Sequence, residues 1–434
     1  MIEGPALHWP WPTSMAMEIW ICMWPTIAPG PFATNRRVPS GSAVVRVNNR
    51  PVSDPDLVGR FTVDAHGTLK EEGEVDALYL NDGTGRFTPL SFTGGRFLDE
   101  DGNPLKEPPY DWGLSVMFRD MNGDGAPDIY VCNDFQSPDR IWINSGDGQF
   151  RAIPRLALRH TSVYSMGVDF ADINRDGYDD FFVVDMLRRD HQHRHNQGGM
   201  LFPVHVPIGE IDNRPQYARN TLFINRGDGT YAEISALSGT IASDWSWTPV
   251  FLDVDLDGFE DLLISTGHEL DSANVDVTNH AEEIMAAKNL SALEKMYLRK
   301  MYDRLELPKV AFRNRGDLTF EDVSAAWGFG TPGVSHGMCL ADLDGDGDLD
   351  VVMNNLNGAA GVYRNEGVAP RVAVRLKGQS TNTRGIGAKI WLYGGAVPVQ
   401  SQEMICGGRY LSSDDPMRVF AAGNLTNEMR RSEG

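Results

Sequence analysis

The chain has little cysteine, no long apolar run and no excess of positive charge. Its four cysteines, Cys22, Cys132, Cys339 and Cys406, stand far apart in 434 residues, with no CxxC or finger spacing. A disulfide framework is therefore not expected, and Cys132 and Cys339, set in apolar runs, read as buried free thiols. No stretch of about 18 apolar residues occurs, so no membrane span is predicted. Net charge is -21, from 60 acidic and 39 basic side chains, which argues against nucleic acid or anionic lipid as a principal partner. A phosphate loop, a dinucleotide fingerprint and an H-E-x-x-H motif are also missing.

Glycine (45) and proline (25) are plentiful, as in a chain with many tight turns. Residues 1–45 differ from the rest, because four of the ten tryptophans fall within the first 24 positions. The mildly apolar stretch 15–33 lacks a basic leader, carries Glu18 and is broken by Pro25, Pro29 and Pro31, so it makes a poor signal peptide. We read 1–45 as an atypical, poorly ordered segment.

Acidic residues recur in four loops: "DMNGDGAPD" (120–128), "DINRDGYDD" (172–180), "DVDLDGFED" (253–261) and "DLDGDGDLD" (342–350). All read D-x-[DN]-x-D-G-x-x-D, with apolar runs on both sides. A second motif follows each loop: "IWINSGDGQF" (141–150), "LFINRGDGTY" (222–231), "AFRNRGDLTF" (311–320) and "VYRNEG" (362–367). An orphan copy, "LYLNDGTGRF", occupies 78–87. Asn-x-Gly between such runs is a hairpin turn. Each unit thus reads strand, acidic loop, strand, connection, strand, turn, strand, which is a propeller blade.

Loop starts lie 52, 81 and 89 residues apart, so two units carry insertions. One, about 187–219, contains "DHQHRHNQGG". The other, about 268–309, is rich in Ala, Glu, Lys, Leu and Met and is expected to be helical. Its apolar face of Met285, Leu293, Met296, Tyr297 and Met301 is expected to pack on the propeller rim.

Four carboxylates in nine residues repel one another unless they are solvated or neutralised. Oxygen donors at alternate positions, with glycine at the sixth, describe a calcium loop. The expected ligands are side chains at positions 1, 3, 5 and 9 and the carbonyl at position 7. In the first loop these are Asp120, Asn122, Asp124, Ala126 and Asp128. In the second they are Asp172, Asn174, Asp176, Tyr178 and Asp180. In the third they are Asp253, Asp255, Asp257, Phe259 and Asp261. In the fourth they are Asp342, Asp344, Asp346, Asp348 and Asp350. Up to four Ca2+ ions are expected. Weaker binding is expected where Asn122 and Asn174 replace a carboxylate. An EF-hand is excluded, since position 12 is Val131, Val183, Ile264 or Met353 rather than glutamate.

These loops and hairpins resemble FG-GAP/VCBS repeats, as in integrin α-subunit propellers. The resemblance implies seven four-stranded blades with calcium in the loops; about five units are recognisable here. Residues 371–423, with "NTRGIGAKIWLYGG" and "CGGRYL", are similar to the ASPIC/UnbV domain of cartilage acidic protein and its bacterial relatives. The family continues with one more strand, so this domain reads as truncated.

Other motifs have plainer readings. In the two "NRGD" stretches the Gly-Asp belongs to the hairpin, and only Arg226 and Arg315 vary. "GVSHG" (333–337) lacks the helix that a nucleophile elbow needs after Ser335. His191, His193 and His195 would share a face of an extended segment and could hold zinc or copper with Asp190, although a solvated loop is the expectation.

The resulting expectation is all-β. A propeller over 46–370 is followed by a small β domain over 371–434. It would act as a calcium-binding scaffold for a protein or glycan partner in a secreted, periplasmic or cell-surface setting. The alternative is an enzyme, a polysaccharide lyase or hydrolase or a biosynthetic accessory, with its site over the propeller channel.

Overall fold

The apolar runs around each acidic loop are rich in β-branched and aromatic residues, and they form strands. The computed structural model describes residues 73–135, 137–197, 214–378 and 382–425. Short backbone strands precede them at Ile19–Ile21, Val44–Val47, Arg50–Ser53, Phe61–Val63 and Leu69–Glu71. The atypical segment 1–45 lies outside the described residues apart from the short strands at Ile19–Ile21 and Val44–Val47.

Four antiparallel blades follow one another. The first contains Gly113–Arg119, Asp128–Asn133, Arg140–Asn144 and Phe150–Ala152, with Phe97–Leu98 added in parallel at its edge. The second contains Gly167–Ala171, Asp180–Val184, Thr221–Asn225 and Tyr231–Glu233. The third contains Ser246–Leu252, Asp261–Thr266, Val310–Asn314 and Phe320–Asp322. The fourth contains Ser335–Ala341, Asp350–Asn355 and Gly361–Tyr363. The first strand of each blade lies against the first strand of the next, so these are the inner strands of a propeller. Seven blades were implied by the resemblance; four are formed among the described residues. The orphan copy makes a hairpin, Leu78–Asn81 with Phe87–Leu90, which pairs with Ile19–Ile21 instead of completing a fifth.

The blades read as nearly continuous apolar runs because both faces of each sheet are covered. Phe181 and Val183 point toward the first blade and pack with Met117, Tyr130 and Cys132. Phe182 and Val184, one residue out of phase, pack with Phe251, Leu262 and Ile264 of the third. Leu263 in turn packs with Met338, Leu340 and Met353 of the fourth. The core is therefore a series of layers between blades.

The expected hairpin turns have a physical basis in the asparagine. Oδ1 of Asn144, Asn225, Asn314 and Asn365 accepts the N–H two residues on, at 2.9–3.0 Å. This closes an Asx turn at each blade's third strand.

The C-terminal region forms two small sheets, Arg371–Val374 with Arg418–Ala421 and Lys389–Tyr393 with Val399–Glu403. It does not stand apart from the propeller. Met417, Val419 and Ala421 belong to the core of the third and fourth blades. Ile405 packs with the first and second, and Tyr410 with the second and third.

Two expectations about the insertions change. Helices Val275–Ala287 and Ala292–Tyr297 form as expected, but Leu293, Met296 and Tyr297 are 55–66 % exposed and do not pack on the rim. The histidine segment is a helix, His191–Asn196, because Asp190 caps it by accepting the His193 N–H at 2.9 Å. His193 Nδ1 also meets Asp190 at 2.6 Å, and the three histidines do not converge on a common metal position.

Of the cysteines, Cys132 is buried, Cys339 is only half-buried, and Cys406 is exposed. No helix among the described residues is long and apolar enough to cross a membrane.

Candidate metal centre

All four acidic loops adopt one backbone form. The sixth-position glycines, Gly125, Gly177, Gly258 and Gly347, have φ between 86° and 100°, where a side chain would be strained. Position 4 is left-handed as well, with Gly123, Arg175, Leu256 and Gly345 at φ 55–79°. Two of these are not glycine, so sequence alone gave no sign of that bend.

The first and ninth aspartates organise the loop. Asp253 accepts N–H groups from Asp257 and Gly258 at 3.0 and 2.9 Å. Asp261 accepts from Val254 and Asn314, both at 2.9 Å. The pattern repeats at Asp128, Asp180 and Asp350, each of which takes one N–H from position 2 of its loop and one from the hairpin asparagine. The ninth carboxylate thus ties the first three strands of its blade together.

The hairpin asparagine also reaches the preceding blade. Nδ2 of Asn314 donates to the Ile173 carbonyl at 3.0 Å and to its own Glu260 carbonyl at 3.1 Å. Asn225 contacts Met121, and Asn365 contacts Val254, at 3.4 and 3.0 Å. Position 2 of each of the first three loops is therefore latched by the following blade.

Which expected ligands come together is specific. In the third loop, carboxylate oxygens of Asp253, Asp255 and Asp261 lie within 4.8 Å of one another. In the fourth, Asp342, Asp344 and Asp350 do the same. Position 5 is not part of either group. Asp257 is bound by Arg313 at 2.7 Å, and Asp346 lies 3.5 Å from Arg371. Arg313 also holds Asp255 at 2.6 Å, so one guanidinium spans two expected ligands. In the first two loops Asn122 and Asn174 donate to Asp124 and Asp176, each at 2.9 Å. Of the seventh-position residues, Ala126 is buried, Tyr178 is exposed, and Phe259 is half-buried. Asp348 is buried, and its carboxylate pairs with Arg371.

The charge state of these groups tests the fit of a cation. Burial pushes Asp128 to about 8, Asp180 to about 9 and Asp253 to about 8, and drives Asp261 well above the ordinary carboxylate range. Oδ1 of Asp255 is buried with no hydrogen-bond partner. Hard oxygen donors, crowded buried carboxylates and an orphaned acceptor fit a hard dication.

The C-terminal region covers the same face. Lys389 pairs with Asp179 in the second loop, and Glu403 accepts the Asp120 N–H in the first at 3.4 Å. A Cβ on Gly258 in the third loop would lie 2.8 Å from Val397. Arg371 engages the fourth loop. Behind these contacts, Arg409 bridges Asp169 (2.6 Å) and Asp414 (2.8 Å). Both carboxylates hold the guanidinium charged against the effect of burial. At this end lies a cavity of about 40 Å³, lined by Arg119, Asp169, Ser401, Glu403, Arg409 and Arg418 among others. The "GGRYL" stretch therefore carries the arginine that reaches the inner strand of the second blade, a role its sequence did not disclose.

Ser335 begins an inner strand and donates to Asn355, with no helix after it. Arg226 and Arg315 sit on hairpin tips beside the Asx turns.

The loops and hairpins are matched by one repeat model. FG-GAP-like repeats occur three times, at residues 120–183, 212–264 and 308–353. These repeats cover the strands and acidic loops of all four blades in whole or part. They stop before 371, so the likeness of the C-terminal region to ASPIC/UnbV gains no support from them. No curated protein matches the chain. Among solved structures, it is similar to an Agrocybe aegerita lectin described as recognising non-reducing terminal N-acetylglucosamine. Identity is 15 % and the TM-score 0.31, over 70 % of this chain and 65 % of that one. It is also similar to a mutant Photorhabdus luminescens Tc holotoxin pore, at 15 % identity and TM-score 0.26, over 83 % of this chain and 14 % of that one.

Proposed function

We propose that the chain is a calcium-stabilised propeller scaffold that presents a binding surface to a protein or glycan in an extracytoplasmic setting. The observation that carries the calcium reading is the pair of carboxylate triads, Asp253/Asp255/Asp261 and Asp342/Asp344/Asp350. These residues would hold the ions, with weaker sites at the two asparagine-bearing loops. Calcium supplies positive charge where buried carboxylates otherwise repel one another. Because the ninth aspartate joins three strands and the hairpin asparagine joins two blades, that charge would stabilise the wheel as a whole. Millimolar affinity, usual for extracellular calcium modules, underlies the proposed setting. The ASPIC/UnbV-like reading of 371–424 belongs to the same proposal, with the module serving to cover the loops.

Chelation followed by calorimetric titration tests this. Calcium should bind endothermically or exothermically with saturation, and the melting temperature should rise on its addition. An unchanged melting temperature with EDTA and with 5 mM calcium, about the top of the extracellular range, would sink the proposal. A pull-down against glycans and surface proteins addresses the partner.

A further inference from the structure

The face on which the inner strands begin lies at the other end of the wheel from the acidic loops. There Asp134, just past the second strand of the first blade, is set among aromatic residues. Its N–H donates to the Trp112 carbonyl at 2.9 Å, and its backbone bridges to Tyr164. Trp112 stacks on Phe135 at 5.1 Å, and Phe135 lies 6.4 Å from Tyr164. Trp112, Phe135 and Tyr164 are half-buried. Tyr410, from the C-terminal segment, lies within electrostatic range of the carboxylate.

Two observations set this place apart. Oδ1 of Asp134 is buried and no donor reaches it. The charge acting on it most nearly is another carboxylate, Asp185, and no basic group is among its neighbours. Asp185 is itself satisfied, by the Ser162 hydroxyl and the N–H groups of Val163, Tyr164 and Met186. Asp134 is half-buried, and its inner oxygen therefore has neither a donor nor a counter-charge. The second observation is the backbone of Phe135, at φ 53°. A bulky residue in the left-handed region is strained, and such strain persists where the surroundings hold it. Here the Phe135 N–H is fixed to the Val163 carbonyl at 2.7 Å.

An unpaired carboxylate calls for a cation, and aromatic faces attract one further through their quadrupoles. A sugar could use the rings but would leave the charge uncompensated. We propose that Asp134 and the rings of Trp112, Phe135 and Tyr164 form a recognition site for an organic ammonium group, such as a quaternary amine or a lysine side chain. The site uses none of the acidic-loop residues and does not depend on the calcium reading. The net charge of -21 would steer a cationic ligand toward it.

The test is calorimetric titration of the full chain, in calcium and separately in EDTA, at constant ionic strength. The probes are choline, its neutral carbon isostere 3,3-dimethylbutan-1-ol, and N-acetylglucosamine. Choline should saturate the protein in the millimolar range or tighter, about 10-fold more tightly than the isostere. Asp134→Asn should weaken choline by about 10-fold. Phe135→Gly, which relieves the backbone strain and cannot be blamed on misfolding if its melting temperature holds, should weaken it as well. Equal binding of choline and the isostere overturns the proposal. So does no saturation up to about 50 mM, unchanged choline affinity in a folded Asp134→Asn, or saturation by N-acetylglucosamine in place of choline. Loss of choline binding in EDTA alone would count against calcium independence, whereas a failed calcium titration with intact choline binding would count only against the metal centre.

Discussion

Arg409 and Asp169, 240 residues apart, meet at 2.6 Å inside the propeller, with both side chains at most 3 % exposed. The contact joins the inner strand of the second blade to a segment that crosses from the first blade to the fourth. Asp414, on the other side of the guanidinium, accepts its Nε–H with both carboxylate oxygens, at 3.0 and 2.9 Å, and lies 2.8 Å from a terminal guanidinium nitrogen. Arg409→Met would leave both carboxylates buried without a cation. We expect it to lower unfolding free energy by about 3–5 kcal/mol, measured by urea denaturation. Adding Asp169→Asn and Asp414→Asn to the same chain should recover part of that loss, since the unpaired charges are then gone.

The third loop offers a test of competition. Arg313 binds Asp255 and Asp257, so calcium must share these carboxylates with a guanidinium. Arg313→Gln should raise calcium affinity at this loop by about 3- to 10-fold. Asp255→Asn should lower it. Calorimetry with the other loops unaltered gives both values, and an Arg313→Gln chain that binds calcium more weakly would show that the arginine supports the site.

The asparagine latch between blades should be costly to break. Asn314→Leu strips a donor from the Ile173 and Glu260 carbonyls and also removes an Asx turn. The expected loss is about 2–3 kcal/mol. Asn365→Leu deprives one interblade carbonyl, that of Val254, and should cost less. Melting temperatures of the two variants in excess calcium rank them.

The acidic groups on the far face predict a pH dependence separate from the metal. Burial raises Asp134 and Asp139 to about 7 and Asp185 to about 6. Their unfolded values lie near 3.8, so the folded state holds more protons between these limits. The associated stability is complete below about pH 4 and is lost as pH rises through 6 to 7. Calcium-saturated protein should therefore lose stability between about pH 4 and pH 7, the window those shifts define. Asp134→Asn, at a carboxylate whose Oδ1 has no donor to lose, should flatten part of that slope and raise stability at pH 8 by about 2 kcal/mol. A steeper slope in the variant would contradict this origin.

What could be read from sequence was what is local. The nine-residue loops, the Asn-x-Gly turns and the apolar runs beside them each state their geometry within a few positions, and the blades follow. The helical insertion was legible from composition. Its orientation was not, since Leu293, Met296 and Tyr297 make an apolar pattern whether or not anything covers it. Asp190 was weighed as a metal ligand when its near neighbour His193 needed it as a cap. The charge partners of the loops were beyond reach for another reason. Arg313 lies 56 residues from Asp257, and Arg371 belongs to a strand outside the repeats. Nor does a Gly-Gly-Arg-Tyr run say that it will lie across the axis of four sheets. Such contacts depend on how the ring curves, which no window of sequence contains.

The order of synthesis gives Arg409 a further consequence. Ribosomes deliver the four blades before the stretch that bridges Asp169 to Asp414 and packs Met417 and Val419 between sheets. Until that stretch emerges, the inner ends of the blades expose apolar and charged surface to solvent or to a chaperone. Nascent chains stalled shortly before residue 404 should thus be held open, and the wheel should snap shut only when its last spoke arrives.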